Sequence, residues 1–503
     1  MNDQGLGSWI RRRARMTPWK TAIIYDGESW TYAELNNRIA RLTHGLRSLG
    51  VRRGDRIGYL GKNHPTFLET MFATTALGAL FVPLNVSFSS EALVHVINTA
   101  KCDIIIYSYE TQAITDIIKP AVNVNKYISI ENTTDDIGLE SLISNQPEIA
   151  IDEYVGLDDI ALLCFTSGTT GMPKGVMLSH GNLTWNVFNL MSCSDFLSDD
   201  IILAHAPLYR MGGLGVTVLP GLFKGSTIVL TQEKEFRKIG QLIERHKISI
   251  LFGAPDFFKS LDESFRTKKT DLSSIRFCIC GGDSVPESLI QAWFERGIQF
   301  QQGYGLTEAA PVALLLDKQE IFSRNGSAGR PMFFTDVRVV NPDMTDVKKN
   351  QVGEIVIRGA NVMKGYWIDS ETTDNKITHN GWLHSGDAAH IDEKGHIYIV
   401  GRMKDEIDLG DEKVYPSEIE KILTTHPDIS ECAVTGLQMK NRFSVVAFVV
   451  LKPGISSSAN TLNAYLKEKL PKHLLPNYIQ FVDALPKNPN GKIIRWKLKE
   501  LRI

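Results

Sequence analysis

The sequence predicts an α/β protein with a large N-terminal domain and a small α+β C-terminal domain. Three observations predict this. Helical and strand patterns alternate to about residue 310, which is typical of largely parallel sheets covered by helices. Residues 336–359 carry short alternating runs split by turns, which indicate a small antiparallel β unit. A helix, two strands, a second helix and a polar tail then follow residue 411, and they fit one small domain.

The first elements show the alternation most clearly. Residues 31–49 form an amphipathic helical pattern that ends at Gly50, a residue suited to a C-terminal cap. A strand is predicted at 56–60, a helix at 65–77 and a strand at 79–83.

The C-terminal elements follow a change in the composition of the chain. Residues 395–411 are strand-like to Val400 and then dense in charge, so they predict the domain junction. The elements predicted beyond the junction are a helix at 417–424, strands at 432–436 and 444–451, and a helix at 459–470.

Composition excludes several classes of protein. The chain has 503 residues, 43% of them hydrophobic, and a net charge of −2, so nothing points to nucleic acid or to an anionic membrane. The six cysteines fit no zinc or disulfide spacing, and Cys278 and Cys280 alternate as core residues of a strand would. The N-terminus lacks a signal-peptide pattern, and the apolar run at 71–84 is too short to span a bilayer. We expect a cytoplasmic protein without membrane insertion.

Residues 166–175, TSGTTGMPKG, carry the strongest chemical signal. Glycines let successive backbone N–H groups point into one concavity that holds an anion, and hydroxyls and Lys174 add donors and charge. Apolar runs on both sides predict a strand–turn–strand connection. The loop differs from the Walker type, because Gly175 stands where that pattern needs Ser or Thr to hold magnesium. The alternative is a flexible polar turn.

Three other places carry candidate functional groups. In the stretch GYGLTE at 303–308, Glu308 can supply the missing magnesium ligand, or the stretch is an ordinary turn. Asp387 in HSGD and Arg402 in GRMKD can hold a ribose, or each belongs to a surface ion pair. Lys492 lies on a Pro/Gly turn in PKNPNGK and is either a placed lysine or a solvated one.

Taken together, these motifs resemble those of the adenylate-forming superfamily, which includes acyl-CoA synthetases, coumarate–CoA ligases, luciferases and peptide-synthetase adenylation domains. The five motifs occur in the family's order over essentially the whole chain. The resemblance implies an acid-activating domain at 1–401, a hinge at 402–404 and a mobile domain at 405–503. It also implies that ATP and a carboxylic acid give an acyl-adenylate and pyrophosphate, after which an acceptor attacks the adenylate.

The resemblance assigns roles by position. Lys492 is the lysine of the adenylation step, Thr307 contacts the α-phosphate, Glu308 holds magnesium and Lys404 is the hinge position. Asp387 and Arg402 hold the ribose. The residues implied to cradle the β- and γ-phosphates are Thr166, Ser167, Gly168, Thr169, Thr170 and Lys174, and those implied to border the adenine are Gly282, Asp283, Gly303 and Tyr304.

Two departures from the family pattern concern the acceptor. Asp411 falls where coenzyme A ligases carry a glycine in the pantetheine channel, unless neighbouring Gly410 takes over after a one-residue shift. Arg210 stands where the family often has a histidine or an aromatic residue, and an arginine there can hold the carboxylate of an amino acid or pair with a local acid.

These departures lead us to favour an amide ligase similar to the coronafacate–amino acid ligases, with ATP and magnesium as cofactors and an amino acid as acceptor. The alternative is an acyl-CoA ligase with coenzyme A as acceptor, which is the commoner activity in the family. A nucleotide-binding protein without catalysis would leave Lys492 and Glu308 idle.

Overall fold

The computed structural model describes residues 4–131, 135–151, 153–167, 172–267, 270–282, 285–410, 413–439, 442–487 and 493–501. The chain divides into a large compact unit, Met1–Val337 with Ile357–His384, and a small one, Arg338–Val356 with Ser385–Ile503. The predicted hinge at 402–404 stays a prediction. Among the described residues, none of the helices has the length and apolarity needed to cross a membrane.

The strands, in chain order, are β1 (Thr21–Tyr25), β2 (Glu28–Thr31), β3 (Arg56–Leu60), β4 (Leu80–Leu84), β5 (Ile104–Tyr107), β6 (Lys126–Ser129), β7 (Ile137–Gly138), β8 (Ile160–Ser167), β9 (Pro173–Ser179), β10 (Ile201–Ala204), β11 (Thr227–Leu230), β12 (Ile250–Gly253), β13 (Phe277–Gly281), β14 (Gln299–Gly305), β15 (Val312–Leu316), β16 (Arg330–Pro331), β17 (Thr335–Val340), β18 (Gly353–Gly359), β19 (Gly365–Tyr366), β20 (Leu383–Ile391), β21 (Ile397–Arg402), β22 (Ile407–Asp408), β23 (Lys413–Val414), β24 (Ile429–Met439), β25 (Arg442–Leu451) and β26 (Tyr478–Phe481).

The helices, in chain order, are α1 (Trp9–Met16), α2 (Tyr32–Ser48), α3 (Pro65–Ala76), α4 (Ser90–Ala100), α5 (Gln112–Ile118), α6 (Leu139–Ile143), α7 (His180–Cys193), α8 (Met211–Gly213), α9 (Leu219–Lys224), α10 (Phe236–His246), α11 (Pro255–Thr267), α12 (Glu287–Phe294), α13 (Ser370–Lys376), α14 (Pro416–Leu423), α15 (Ala459–Lys467) and α16 (Arg495–Leu498).

The predicted α/β class is confirmed, and most predicted elements lie within a few residues of the observed ones. Helix α2 begins after Thr31, whose side chain accepts from the backbone N–H of Glu34 while the Glu34 carboxylate accepts from the backbone of Thr31. This reciprocal cap explains where the helix starts. The segment at 71–84 is a buried helix end followed by a buried strand, as its apolar pattern predicts.

The large unit contains two main sheets. One has the strand order β16-β15-β14-β13-β12-β10-β11-β1-β2, and the other has the order β19-β9-β8-β4-β3-β5-β6-β7. Strands β10 to β14 run parallel to one another where they pair, and so do β3 to β6. Cys278 and Cys280 of β13 are both fully buried in one hydrophobic cluster, which confirms that their alternation marks a core face.

The small unit is α+β, as predicted. Strands β24, β25 and β26 form one sheet. One face of the sheet packs on helices α14 and α15, through a cluster that includes Val434, Ile419 and Leu462. The opposite face carries a second cluster that includes Ala433 and Leu498 of α16. Adjacent residues 433 and 434 therefore face opposite sides, as the period of a strand requires.

Candidate functional site

The phosphate-loop sequence lies between two antiparallel strands, as predicted. Strand β8 leads into the loop and β9 leaves it, with Thr166 opposite Lys174 and Phe165 opposite Gly175. Thr166 is partly buried at the end of β8. The strand–turn–strand prediction is thus confirmed in its two strands, and residues 168–171 between them lie outside the described residues.

Lys174 is anchored by a short segment nearly two hundred residues further along the chain. Its Nζ lies 2.9 Å from Asp369 Oδ2 and 2.7 Å from Thr372 Oγ1. The ring of Tyr366 lies 5.9 Å from the same ammonium group, within the range of a cation–π contact. The hydrogen bonds from Lys174 and from Thr372 lower the pKa of the Asp369 carboxyl to about 2, so it is ionised at neutral pH. These contacts therefore fix the position of the Lys174 ammonium group.

Gly175 has a packing role that explains the departure from the Walker pattern. A Cβ at this position would lie 2.9 Å from Phe165 Cζ and 3.2 Å from the Cβ of Trp367. The Gly175 carbonyl also accepts from the Trp367 backbone N–H at 2.7 Å. A serine or threonine would require Phe165 or Trp367 to shift, so packing disfavours the metal ligand of a Walker loop after Lys174.

Glu308 lies beside the same segment. It is part of a 3₁₀ turn, Thr307–Ala309, that follows β14. Its Oε1 accepts from the Tyr366 hydroxyl at 2.8 Å, and its backbone carbonyl accepts from Met363 N–H at 2.8 Å. Burial and the neighbouring Glu308 carboxylate raise the pKa of Tyr366, which keeps its hydroxyl a donor. Tyr366 therefore contacts both the predicted phosphate lysine and the predicted magnesium ligand.

The predicted adenine-bordering glycines lie at the carboxyl edge of parallel strands, where α/β sheets bind ligands. Gly281 and Gly303 pair across β13 and β14, and Gly282 follows with a φ of +94°. At Gly305 an added Cβ would lie 1.8 Å from the Pro311 carbonyl oxygen, so only glycine fits. Tyr304 and Thr307 flank this point and are partly buried.

The predicted ribose pair is formed within the small unit. Asp387 of β20 lies opposite Arg402 of β21, and Arg402 Nε lies 3.0 Å from Asp387 Oδ1. The carboxylate is nearly buried whereas the guanidinium is half exposed. The structure thus brings the two residues together, and their ribose-binding role stays a prediction. Lys404 is exposed in a 3₁₀ turn, Met403–Asp405.

Arg210 is exposed in the connection between β10 and α8, where its backbone N–H donates to the Pro207 carbonyl. The remaining predicted site residues are Gly168, Thr169, Thr170, Asp283, Asp411 and Lys492, and these lie outside the described residues, as does the side chain of Ser167.

Sequence reasoning missed Tyr366, Asp369 and Thr372, which contact Lys174 or Glu308. The available signal was weak: an aspartate followed three residues later by a threonine, at the start of a short helix.

The sequence analysis also did not single out His205, which directly follows β10. The His205 ring stacks on Phe257 at 3.7 Å, and burial lowers its pKa to about 4. His205 is therefore neutral at pH 7, and its Nε2–H donates to the Phe252 carbonyl at 2.7 Å.

Among the described residues, Glu308 is the predicted ligand for a metal ion, whereas the nearby Asp369 carboxylate is paired with Lys174. No group of three or more His, Cys, Asp or Glu side chains among them is placed to hold a metal by itself. Magnesium prefers oxygen ligands and is often held by one or two carboxylates together with substrate phosphates. Glu308, which shares Tyr366 as a neighbour with the predicted phosphate lysine, fits that pattern.

The chain matches two family descriptions, "AMP-binding enzyme" over residues 10–367 and "AMP-binding enzyme C-terminal domain" over residues 418–492. A feruloyl-CoA synthase from an Amycolatopsis species is 41% identical over 501 residues, 99% of each chain. The solved O-succinylbenzoate coenzyme A synthetase from Bacillus subtilis, in complex with ATP and magnesium, is 29% identical with a TM-score of 0.88, over 98% of this chain and 99% of that one. An amide bond synthetase from Marinactinospora thermotolerans is 26% identical with a TM-score of 0.87, over 98% and 99%.

Proposed function

The chain belongs to the AMP-binding enzyme family, and on that premise we propose that it is an ATP-dependent acid–thiol ligase that makes acyl-coenzyme A thioesters. The observation that carries the proposal is the 41% identity to a feruloyl-CoA synthase over 99% of both chains. The adenylate-forming family predicted from the motifs is confirmed. The acceptor that we favoured from the sequence, an amine, has less support than the thiol alternative.

In the first half-reaction, a carboxylate oxygen of the acid attacks the α-phosphorus of ATP, and the bond to pyrophosphate breaks. Lys174 offers a positive charge to the terminal phosphates, which leave as pyrophosphate. Magnesium held by Glu308 would supply further charge compensation on the same phosphates. We infer that Asp387 and Arg402 bind the ribose, and that Lys492 neutralises charge at the α-phosphate.

In the second half-reaction, the thiol of coenzyme A loses its proton and the sulfur attacks the acyl carbonyl. The bond to AMP then breaks, and the thioester and AMP are released. The acid is proposed to be an aryl-substituted acid of the feruloyl type, in keeping with the relative's name. His205 and Phe257 support this choice, because their stacked rings follow the carboxyl ends of β10 and β12.

The amide ligase remains the second candidate. It is favoured by the exposed Arg210 and by the similarity to an amide bond synthetase. In that reaction a neutral amine attacks the adenylate, and Arg210 anchors the carboxylate of an amino acid acceptor. A hydrogen bond to a charged group contributes about 1.5–3 kcal/mol, so Arg210→Ala would raise the KM for such an acceptor roughly ten- to a hundred-fold.

Mass spectrometry of the products tests the proposal. The enzyme is incubated with ATP, magnesium and a panel of aryl and alkyl acids, with coenzyme A and mixed amino acids as competing acceptors. We expect AMP, pyrophosphate and an aryl-coenzyme A thioester. A product that contains an amino acid and no thioester would overturn the thiol proposal in favour of the amide. Arg210→Ala separates the two further, because thioester formation does not need an anchored acceptor carboxylate.

A further inference from the structure

The segment at 365–372 contacts two of the predicted functional residues, Lys174 and Glu308. Strand β19 pairs with β9, so that Tyr366 lies opposite Val176, two residues beyond Lys174. The Trp367 N–H bond to the Gly175 carbonyl fixes the same register. The position of this short strand thus places Tyr366 in contact with Glu308, and it places Asp369 and Thr372 in contact with Lys174.

Asp369 is itself held in place. Its Oδ1 accepts from the Thr372 backbone N–H at 3.0 Å, which caps α13, while its Oδ2 takes the Lys174 ammonium. The Thr373 hydroxyl donates to the Asp369 carbonyl at 2.8 Å, and the Tyr366 N–H donates to the Thr373 hydroxyl at 2.8 Å. The acceptors around Lys174 are therefore held by hydrogen bonds at the junction between β19 and α13.

The hydrogen-bond count leaves room for a phosphate. A lysine ammonium has three donors, and Asp369 and Thr372 take two of them. A free lysine side chain has rotamer entropy that phosphate binding must otherwise remove. Holding the ammonium in advance removes much of this cost and, as far as the contacts of the described residues go, leaves one N–H for an anion.

We propose that Tyr366, Asp369 and Thr372 are positioning residues for ATP: Asp369 and Thr372 aim the Lys174 ammonium at the terminal phosphates, and Tyr366 fixes the Glu308 carboxylate for the metal. The inference rests on the proposed nucleotide site. It assigns roles to three side chains that do not themselves touch the reacting atoms.

The opposing hypothesis is that Asp369 is only a counter-ion that competes with the phosphates. The two hypotheses predict different orders of Mg·ATP affinity among the Asp369 variants. Asp369→Asn keeps one acceptor oxygen, which can serve the α13 cap or Lys174, and puts an NH2 donor in place of the other oxygen. Asp369→Ala removes both acceptors, and both variants remove the charge. Positioning predicts that Mg·ATP affinity falls from wild type to Asn to Ala. Competition predicts that both variants bind Mg·ATP more tightly than the wild type.

Thr372 offers a test that changes no charge. Thr372→Val removes the hydroxyl with little change of shape and keeps the backbone N–H that Asp369 caps, and Thr372→Ser restores a hydroxyl. We expect Thr372→Val to weaken Mg·ATP binding by about tenfold, the lower end for a hydrogen bond to a charged group, and Thr372→Ser to remain near wild type. Equal affinities for Val and Ser would overturn the role of Thr372.

Tyr366→Phe keeps the ring near Lys174 and removes the donor to Glu308. We expect it to raise the magnesium concentration needed for half-maximal adenylation, with a smaller change at saturating magnesium. An unchanged magnesium dependence would overturn the role of Tyr366.

The measurements are isothermal titration calorimetry with Mg·ATP, which needs no acid, and acid-dependent ATP–pyrophosphate exchange. Asp158→Asn is the matched control, because Asp158 pairs with Lys364 at 2.6 Å on the exposed surface. It should behave as wild type in both assays. If the wild type binds Mg·ATP but shows no ATP–pyrophosphate exchange with any acid, the proposed function is wrong. The order of the Mg·ATP affinities from calorimetry still decides the positioning role in that case. Wild-type binding by every variant would overturn the inference and leave the proposed function intact.

Discussion

Replacing Gly175 with alanine tests whether the glycine after Lys174 is required by packing. The added Cβ would lie 2.9 Å from Phe165 Cζ and 3.2 Å from Phe165 Cε1 and from the Trp367 Cβ. Carbon atoms prefer separations of roughly 3.5–4.0 Å, so the contact with Phe165 is too close by about 0.6 Å.

Overpacking of this kind costs about 1–3 kcal/mol. If the strain is relieved by moving β19 away from β9, the bond from Trp367 to Gly175 lengthens and Asp369 shifts away from Lys174. Since about 1.4 kcal/mol corresponds to a factor of ten, the apparent affinity for ATP would fall by roughly five- to 150-fold. If Phe165 moves instead, the loss appears in the free energy of unfolding.

The assay therefore combines urea denaturation with the KM for ATP in pyrophosphate exchange. Gly156→Ala is the control, because its Cβ would meet the Asp159 Oδ2 at an ordinary 3.7 Å. Both variants lose the same backbone freedom in the unfolded chain, so that contribution cancels between them. The packing argument is wrong if Gly175→Ala matches Gly156→Ala in both stability and KM.

Three further predictions follow from the site and the core. Glu308→Gln should raise the magnesium requirement and lower the rate of adenylation, measured by pyrophosphate exchange across a magnesium titration; an unchanged requirement would show that another group holds the metal. Lys492→Ala should cut adenylate formation by orders of magnitude while a presynthesised acyl-adenylate is still consumed, and equal loss of both half-reactions would contradict its assignment to the first. His180 accepts from the Leu6 N–H through Nδ1 at 2.9 Å, and burial lowers its pKa to about 4. The unfolded chain, whose histidines titrate near pH 6.5, then binds more protons below that pH, so the free energy of unfolding should fall from pH 6.5 toward pH 4. His180→Asn should flatten this dependence in urea denaturation at pH 7, 6 and 5, and an equally steep fall in the variant would exclude His180 as a source.

The sequence by itself determined the α/β class, the positions of most elements and the family. These depend on local information: apolar period sets helix or strand, and residues such as Thr31 and Glu34 cap a helix from within four positions. The motif around Lys174 could be identified for the same reason, since its glycines, hydroxyls and lysine are contiguous. The contact between Asp387 and Arg402 could also be predicted, because the two residues lie on consecutive strands that pair.

Only the tertiary structure showed what holds the functional groups in place. Asp369 and Thr372 meet Lys174 across 195 and 198 positions of the chain, and Tyr366 meets Glu308 across 58. These contacts arise because β19 pairs with β9. Strand β19 has only two residues, so its sequence does not specify which strand it pairs with or in which register. The reason for Gly175 is equally non-local, since the space that a side chain would need is filled by Phe165 from the paired strand and by Trp367. A single sequence identifies candidate residues for the chemistry, whereas the pairing of distant strands decides which other residues hold those candidates in place.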